Sequence, residues 1–164
     1  MARIAVNGLA ELSKQITELA DAGEAIGKMA VYDGARVIAD EIRKKIEALP
    51  EDEDRYLVGA AQYSVVTETE KKDLARSLGV STIARDAEGV RTVIGFAGYG
   101  SKPTKKYRNG LPMPLLARAI ESGSSVRKKH PFVRKAVNAK RKEAISAMIE
   151  TGERQIRKTI GEKG

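Results

Sequence analysis

Residues 131–160 read PFVRKAVNAKRKEAISAMIETGERQIRKTI, and the fold turns on this stretch. Val133, Val137, Ile145, Met148, Ile149, Ile156 and Ile160 recur at intervals that set them on one side of an α-helix. Pro131 suits the first helical position, where a missing N–H is no loss. At 1.5 Å per residue the helix is about 45 Å long. So long a rod must pack along the domain or reach into a neighbour. Gly152 is a point where it can bend.

Upstream, the spacing predicts a short helix over 114–122, stopped by Gly123, and then a basic loop over 124–130. Gly98, Gly100, Pro103, Gly110 and Pro112 make 98–112 a loop, with Lys102, Lys105, Lys106 and Arg108 along it. Residues 80–85 and 90–96 read as the two strands of a β-hairpin, joined by the turn Asp86-Ala87-Glu88-Gly89. A lone hairpin is marginal, so it must pack on a helix or pair with other strands. A short helix over 71–78, closed by Gly79, precedes it. Residues 51–70 open on the acidic run Glu51-Asp52-Glu53-Asp54 and admit a strand, a short helix or a mobile loop; they are read as a flexible insertion loop. Leu9, Leu12, Ile16 and Leu19 mark a first helix, with Asn7 as its N-cap and Gly23 at its end. Val31, Ala35, Ile38, Ile42, Ile46 and Leu49 mark a second, from about Glu24 to Leu49, stopped by Pro50. The expected fold is α+β: one domain over 1–164, with a small antiparallel sheet packed against a long N-terminal helix, and a long C-terminal helix.

Composition narrows the function classes. The 41% of hydrophobic residues can build a core, but with 4% aromatics it must consist mostly of Ala, Ile, Leu and Val. No apolar run is long enough to span a membrane, and Met1–Gly8 has no apolar signal-peptide core. Without cysteine there is no disulfide, thiol catalysis or Cys-ligated metal, which suits a reducing compartment. The net charge of +8 is divided unevenly: −4 over residues 1–100 and +12 over 101–164. Halves of opposite sign can face each other across copies of one chain, or the basic half can seek nucleic acid or an acidic protein.

No catalytic constellation is evident. His130 is the one histidine, so no two-histidine metal site can form; its place in a loop before Pro131 reads as structural, which leaves the Ser and Thr residues without a triad partner. Gly95 to Lys102 resembles a phosphate loop, but its Lys follows Ser101 and no helix start comes after. The acidic run lacks the turn residues and spacing of a cation loop. The expectation is a non-enzyme with no cofactor and no metal. What stands out is the run of eight cations, Arg127, Lys128, Lys129, Arg134, Lys135, Lys140, Arg141 and Lys142, uninterrupted by an acid. Such a cluster can hold phosphates without sequence readout or dock on acidic protein surfaces. Phe132 alone lies among them, so base stacking has no platform, and docking on protein is the favoured reading.

The stretch Ala117-Arg118-Ala119-Ile120-Glu121-Ser122-Gly123-Ser124-Ser125, followed by His130-Pro131-Phe132-Val133-Arg134-Lys135-Ala136, resembles a signature of the tail-component, or tail-completion, family of long-tailed bacteriophages. The opening Val6-Asn7-Gly8-Leu9-Ala10-Glu11-Leu12 and the phrase Asp73-Leu74-Ala75-Arg76-Ser77-Leu78 are similar to the family's first and middle segments, in the family's order. The chain departs from the pattern at Ser122, where an aromatic is common, and in the long acidic segment between Pro50 and Leu74. The resemblance implies an α+β structural protein of the virion, made in the bacterial cytoplasm and placed at the neck or upper tail. It implies partners: copies of itself in a ring, commonly sixfold, and neck or tail proteins such as a tail terminator, tail-tube or head-completion protein. Transient contact with passing DNA is compatible with it; a membrane is not. Within it, Phe132 is expected to anchor the last helix, Pro131 to fix its start, Gly123 to allow the preceding turn, and Glu121 to pair with Arg118 or Arg134.

Overall fold

A computed structural model of the chain describes residues 9–51, 66–87, 89–125 and 127–161. The architecture is α+β: a long N-terminal helix, short antiparallel strands and a long C-terminal helix. Helix α1 runs without interruption over Leu9–Glu47, 39 residues or about 58 Å. The expected break at Gly23 is absent. A glycine in a helix costs only about 1 kcal/mol against alanine, and here no proline follows to end the helix. Asn7, the expected cap, lies outside the described residues.

Helix α2 (Glu68–Ser77) starts three residues earlier than its apolar spacing indicates, because Thr67 caps it. The Thr67 hydroxyl accepts from the Glu70 N–H, and the Glu70 carboxylate accepts from the Thr67 N–H, a reciprocal capping box. Most of the expected insertion loop, residues 52–65, lies outside the described residues. Its two ends meet in a parallel bridge between Glu51 and Val66, and the Lys71 ammonium holds both the Leu49 carbonyl and the Glu51 carboxylate.

The hairpin forms in the expected place but in two pieces. Strands β1 (Leu78–Val80) and β4 (Ile94–Phe96) pair antiparallel, as do β2 (Ala84–Asp86) and β3 (Gly89–Arg91). Between the ladders three residues, 81–83, face two, Thr92 and Val93, so the first strand carries a bulge. Ser81 stabilises it: its N–H donates to the Val93 carbonyl at 2.8 Å, while its hydroxyl oxygen accepts from the Val93 N–H at 3.0 Å. The hairpin packs on α1 through β1 and β3. Near its tip Arg85 reaches Glu24 at 2.7 Å, and Val90 lies against Gly27.

The loop over 98–112 is pinned. Asp73 accepts from both the N–H and the hydroxyl of Ser101, at 2.7 and 2.9 Å. Gly110, at φ +92°, lies so close to the Gly100 carbonyl that any side chain would collide with it. Helix α3 (Met113–Ser122) follows and buries Met113, Leu116, Ala117 and Ile120. The core gathers these with Ile42, Ile46, Leu49, Val66, Leu74, Leu78, Phe132 and Ala136.

Helix α4 (Val133–Gly161) lies antiparallel along α1, with Asp33 beside Thr151 and Gly34 beside Met148. Two expectations for it are corrected. It begins at Val133, with Pro131 ahead of the first turn rather than in it. The face against α1 buries Ala136, Ala144 and Thr151 and seats Met148 on Gly34, while Ile145, Ile149, Ile156 and Ile160 stand exposed. Gly34 permits this seat. A Cβ there would lie 2.4 Å from the Met148 side chain and 3.1 Å from the Ala144 carbonyl. The bare glycine makes the room that the Met148 side chain fills between the helices.

Candidate assembly surface

The four residues expected at the start of the last helix do come together. Phe132 is fully buried and meets Phe96 edge-on, ring centroids 5.9 Å apart. Gly123 ends α3 at φ +81°, with Lys129 backbone and Cβ packed where a side chain would project. Glu121 corrects the sequence reading, because it binds backbone amides. One carboxylate oxygen accepts from Phe132 and Val133 at 2.8 and 2.9 Å, and the other from the Arg134 N–H at 3.2 Å. It thus caps α4 from another helix, satisfying amides that the first turn leaves open and setting negative charge at the positive end of the dipole. The His130 N–H donates to the Ile120 carbonyl at 2.7 Å, closing the same joint.

The basic run is divided by the fold. Arg127 is 6% exposed and grips Glu70 with two guanidinium nitrogens, at 2.7 and 3.1 Å. It therefore joins the 124–130 loop to the capped start of α2 and is no docking group, since its fork is committed inside the chain. Lys140 is half-buried and ion-paired to Glu143, whose carboxylate raises the ammonium above its ordinary pKa. Lys128, Lys129, Arg134, Lys135, Arg141 and Lys142 are exposed, the last four along the first turns of α4. Sequence reasoning missed the Arg127–Glu70 pair, although the Thr67-x-x-Glu70 spacing announces a capping box and hence a fixed carboxylate. It also missed the Asp33–Thr151 hydrogen bond of 2.7 Å between the long helices. No local pattern signals a contact between residues so far apart.

Beyond the basic turns the outer face of α4 becomes apolar. Ile145, Ile149, Ile156 and Ile160 follow at steps of four, seven and four, and are 37–57% exposed. An apolar groove of about 350 Å³ adjoins them at Ile145, between α1, α4 and the hairpin, lined by Ile38, Ile94 and Met148 among others. On α1, Leu12 and Ile16 are 52% and 60% exposed. Among the described residues no group of three or more His, Asp or Glu side chains is placed to hold a metal ion, and no helix is long and apolar enough to cross a membrane. No family model, no curated protein and no solved structure matches the chain.

Proposed function

We propose that the chain is a non-enzymatic structural subunit of a long-tailed bacteriophage or prophage. In this reading it is a tail-completion or head–tail joining protein at the neck or upper tail. It acts by closing into a ring with copies of itself, of the sixfold kind the resemblance implies, and by docking on neighbours such as a tail terminator, tail-tube or head-completion protein. The observation that carries the reading is the row of large apolar side chains left on the outer faces of both long helices. Soluble monomers seldom leave such rows open, and they commonly mark protein contacts. A ring subunit needs two different complementary surfaces, which the charge division of −4 and +12 also favours. The motif order supplies the setting of the virion. Sedimentation of the purified chain, alone and with tail-tube protein, together with mass spectrometry of intact virions, tests it. A strictly monomeric chain that never enters particles defeats it.

The six exposed cations keep one other reading open, a small nucleic-acid-binding protein without sequence preference. A gel shift across salt concentrations decides: absence of binding at low salt removes that reading.

A further inference from the structure

We infer that the first turns of α1 dock on the exposed isoleucine stripe of α4 in a second copy of this chain, head to tail. This rests on reading the chain as a self-assembling subunit, and it names the two surfaces that would meet.

One helix outruns the other. Asp33 sits beside Thr151 in an antiparallel pair, so Gly161, ten residues further along α4, falls level with Gly23 of α1. The part of α1 before Gly23 extends beyond its partner helix, and Ile16 stands about 10 Å past that point. Leu12, Ile16, Leu19, Gly23, Gly27 and, two steps on, Gly34 follow at spacings of three and four. Leu12 and Ile16 thus continue the side of α1 that Val90 covers at Gly27 and Met148 at Gly34. Among the described residues the apolar seam goes on after the cover has ended.

The other surface lies on the same chain, out of that segment's reach. Ile145 to Ile160 spans about 22 Å of α4. Gly152 interrupts the stripe, and a Cβ there would meet nothing within 4 Å, which leaves an open notch. Charge favours a second copy as the occupant. Residues 12–23, ahead of the Glu24 that Lys28 and Arg85 hold, carry Glu18 and Asp21 against Lys14, a net of −1, whereas the span of the stripe, 145–160, carries Arg154, Arg157 and Lys158 against Glu150 and Glu153, a net of +1, with the basic turns of α4 just before it. The two surfaces differ in length, shape and sign, so the contact is heterologous and able to close into a ring.

The test uses the full chain in sedimentation equilibrium, with Ile16→Glu on one surface and Ile149→Glu on the other. All four target side chains, including Leu12→Glu and Ile156→Glu as second variants, are exposed, so folding is expected to survive; circular dichroism checks this. Each variant alone should weaken self-association by about 100-fold or more and run near the 17.8 kDa of one chain. Mixed in equal amounts, the Ile16 and Ile149 variants retain one good surface each. They should form a complex of two chains and nothing larger. Variants that assemble like the unaltered chain, or a mixture that stays monomeric, would overturn the inference while leaving ring assembly standing. An unaltered chain that is monomeric at every concentration would sink both.

Discussion

Replacing Arg127 by Met removes one partner of a buried ion pair and leaves the other in place. Arg127 is 6% exposed, and the Glu70 side chain is 16% exposed, so the stranded carboxylate keeps little access to water. Breaking such a pair from one side costs about 3–5 kcal/mol, and the residual exposure of Glu70 sets the expected loss near the lower figure. That is a large part of the roughly 5–15 kcal/mol that holds a domain folded. For a chain of this size it should lower Tm by about 6–12 °C. Urea unfolding followed by circular dichroism measures it. The double variant Glu70→Gln with Arg127→Met should regain most of the loss, because no charge is left buried and glutamine still serves the Thr67 capping box. Lys128→Met, one residue along and exposed, should change stability by under about 0.5 kcal/mol. If Arg127→Met proves as mild as Lys128→Met, the guanidinium is not committed inside the fold, and Arg127 returns to the group of docking cations.

Two further outcomes follow from the packing. Glu121→Ala strips the cap from three amides of α4 and should cost about 2 kcal/mol by urea titration, whereas Glu121→Gln keeps an acceptor and should cost about half as much. The glycines of α1 should respond oppositely to alanine. Gly23→Ala fills open space and should stabilise by about 0.5–1 kcal/mol, while Gly34→Ala drives a methyl into Met148 and should destabilise by about 1–3 kcal/mol, read as shifts in the unfolding midpoint.

Much of the fold is legible in the sequence because its signals are local. The Ile and Val spacing finds both long helices, Gly123 ends α3, and the apolar runs around residues 86–89 give the hairpin. The failures have physical causes. Gly23 reads as a stop, yet glycine ends a helix only where the chain also turns, and nothing after it makes the chain turn. The β-bulge depends on Ser81 and Thr92 bonding across the strands, and alternation alone does not report it. Glu121 reads as a partner for a cation, but the amides of a helix start eleven residues away hold it instead, and only tertiary structure brings them within reach. Arg127 is one of eight cations in the run 127–142 and becomes distinct only where the fold brings Glu70 to it.

The isoleucines of α4 show where periodicity stops being informative. Their spacing reports that a face of the helix seeks cover but not which molecule supplies it. Within the chain the close approach of α1 sets Ala136 and Ala144 on the inner side and fits Met148 over the bare Gly34. Ile145, Ile149, Ile156 and Ile160 are left outside, 37–57% exposed, so each has about 0.5–1.5 kcal/mol still available on full burial. A monomer leaves much of that unrealised and carries a risk of non-specific association. A neighbour that covers the stripe realises it without crowding the intramolecular seam. The apolar side of α4 is thus divided between a seam closed within the chain and an outer stripe, and the proposed assembly assigns that stripe to the next copy.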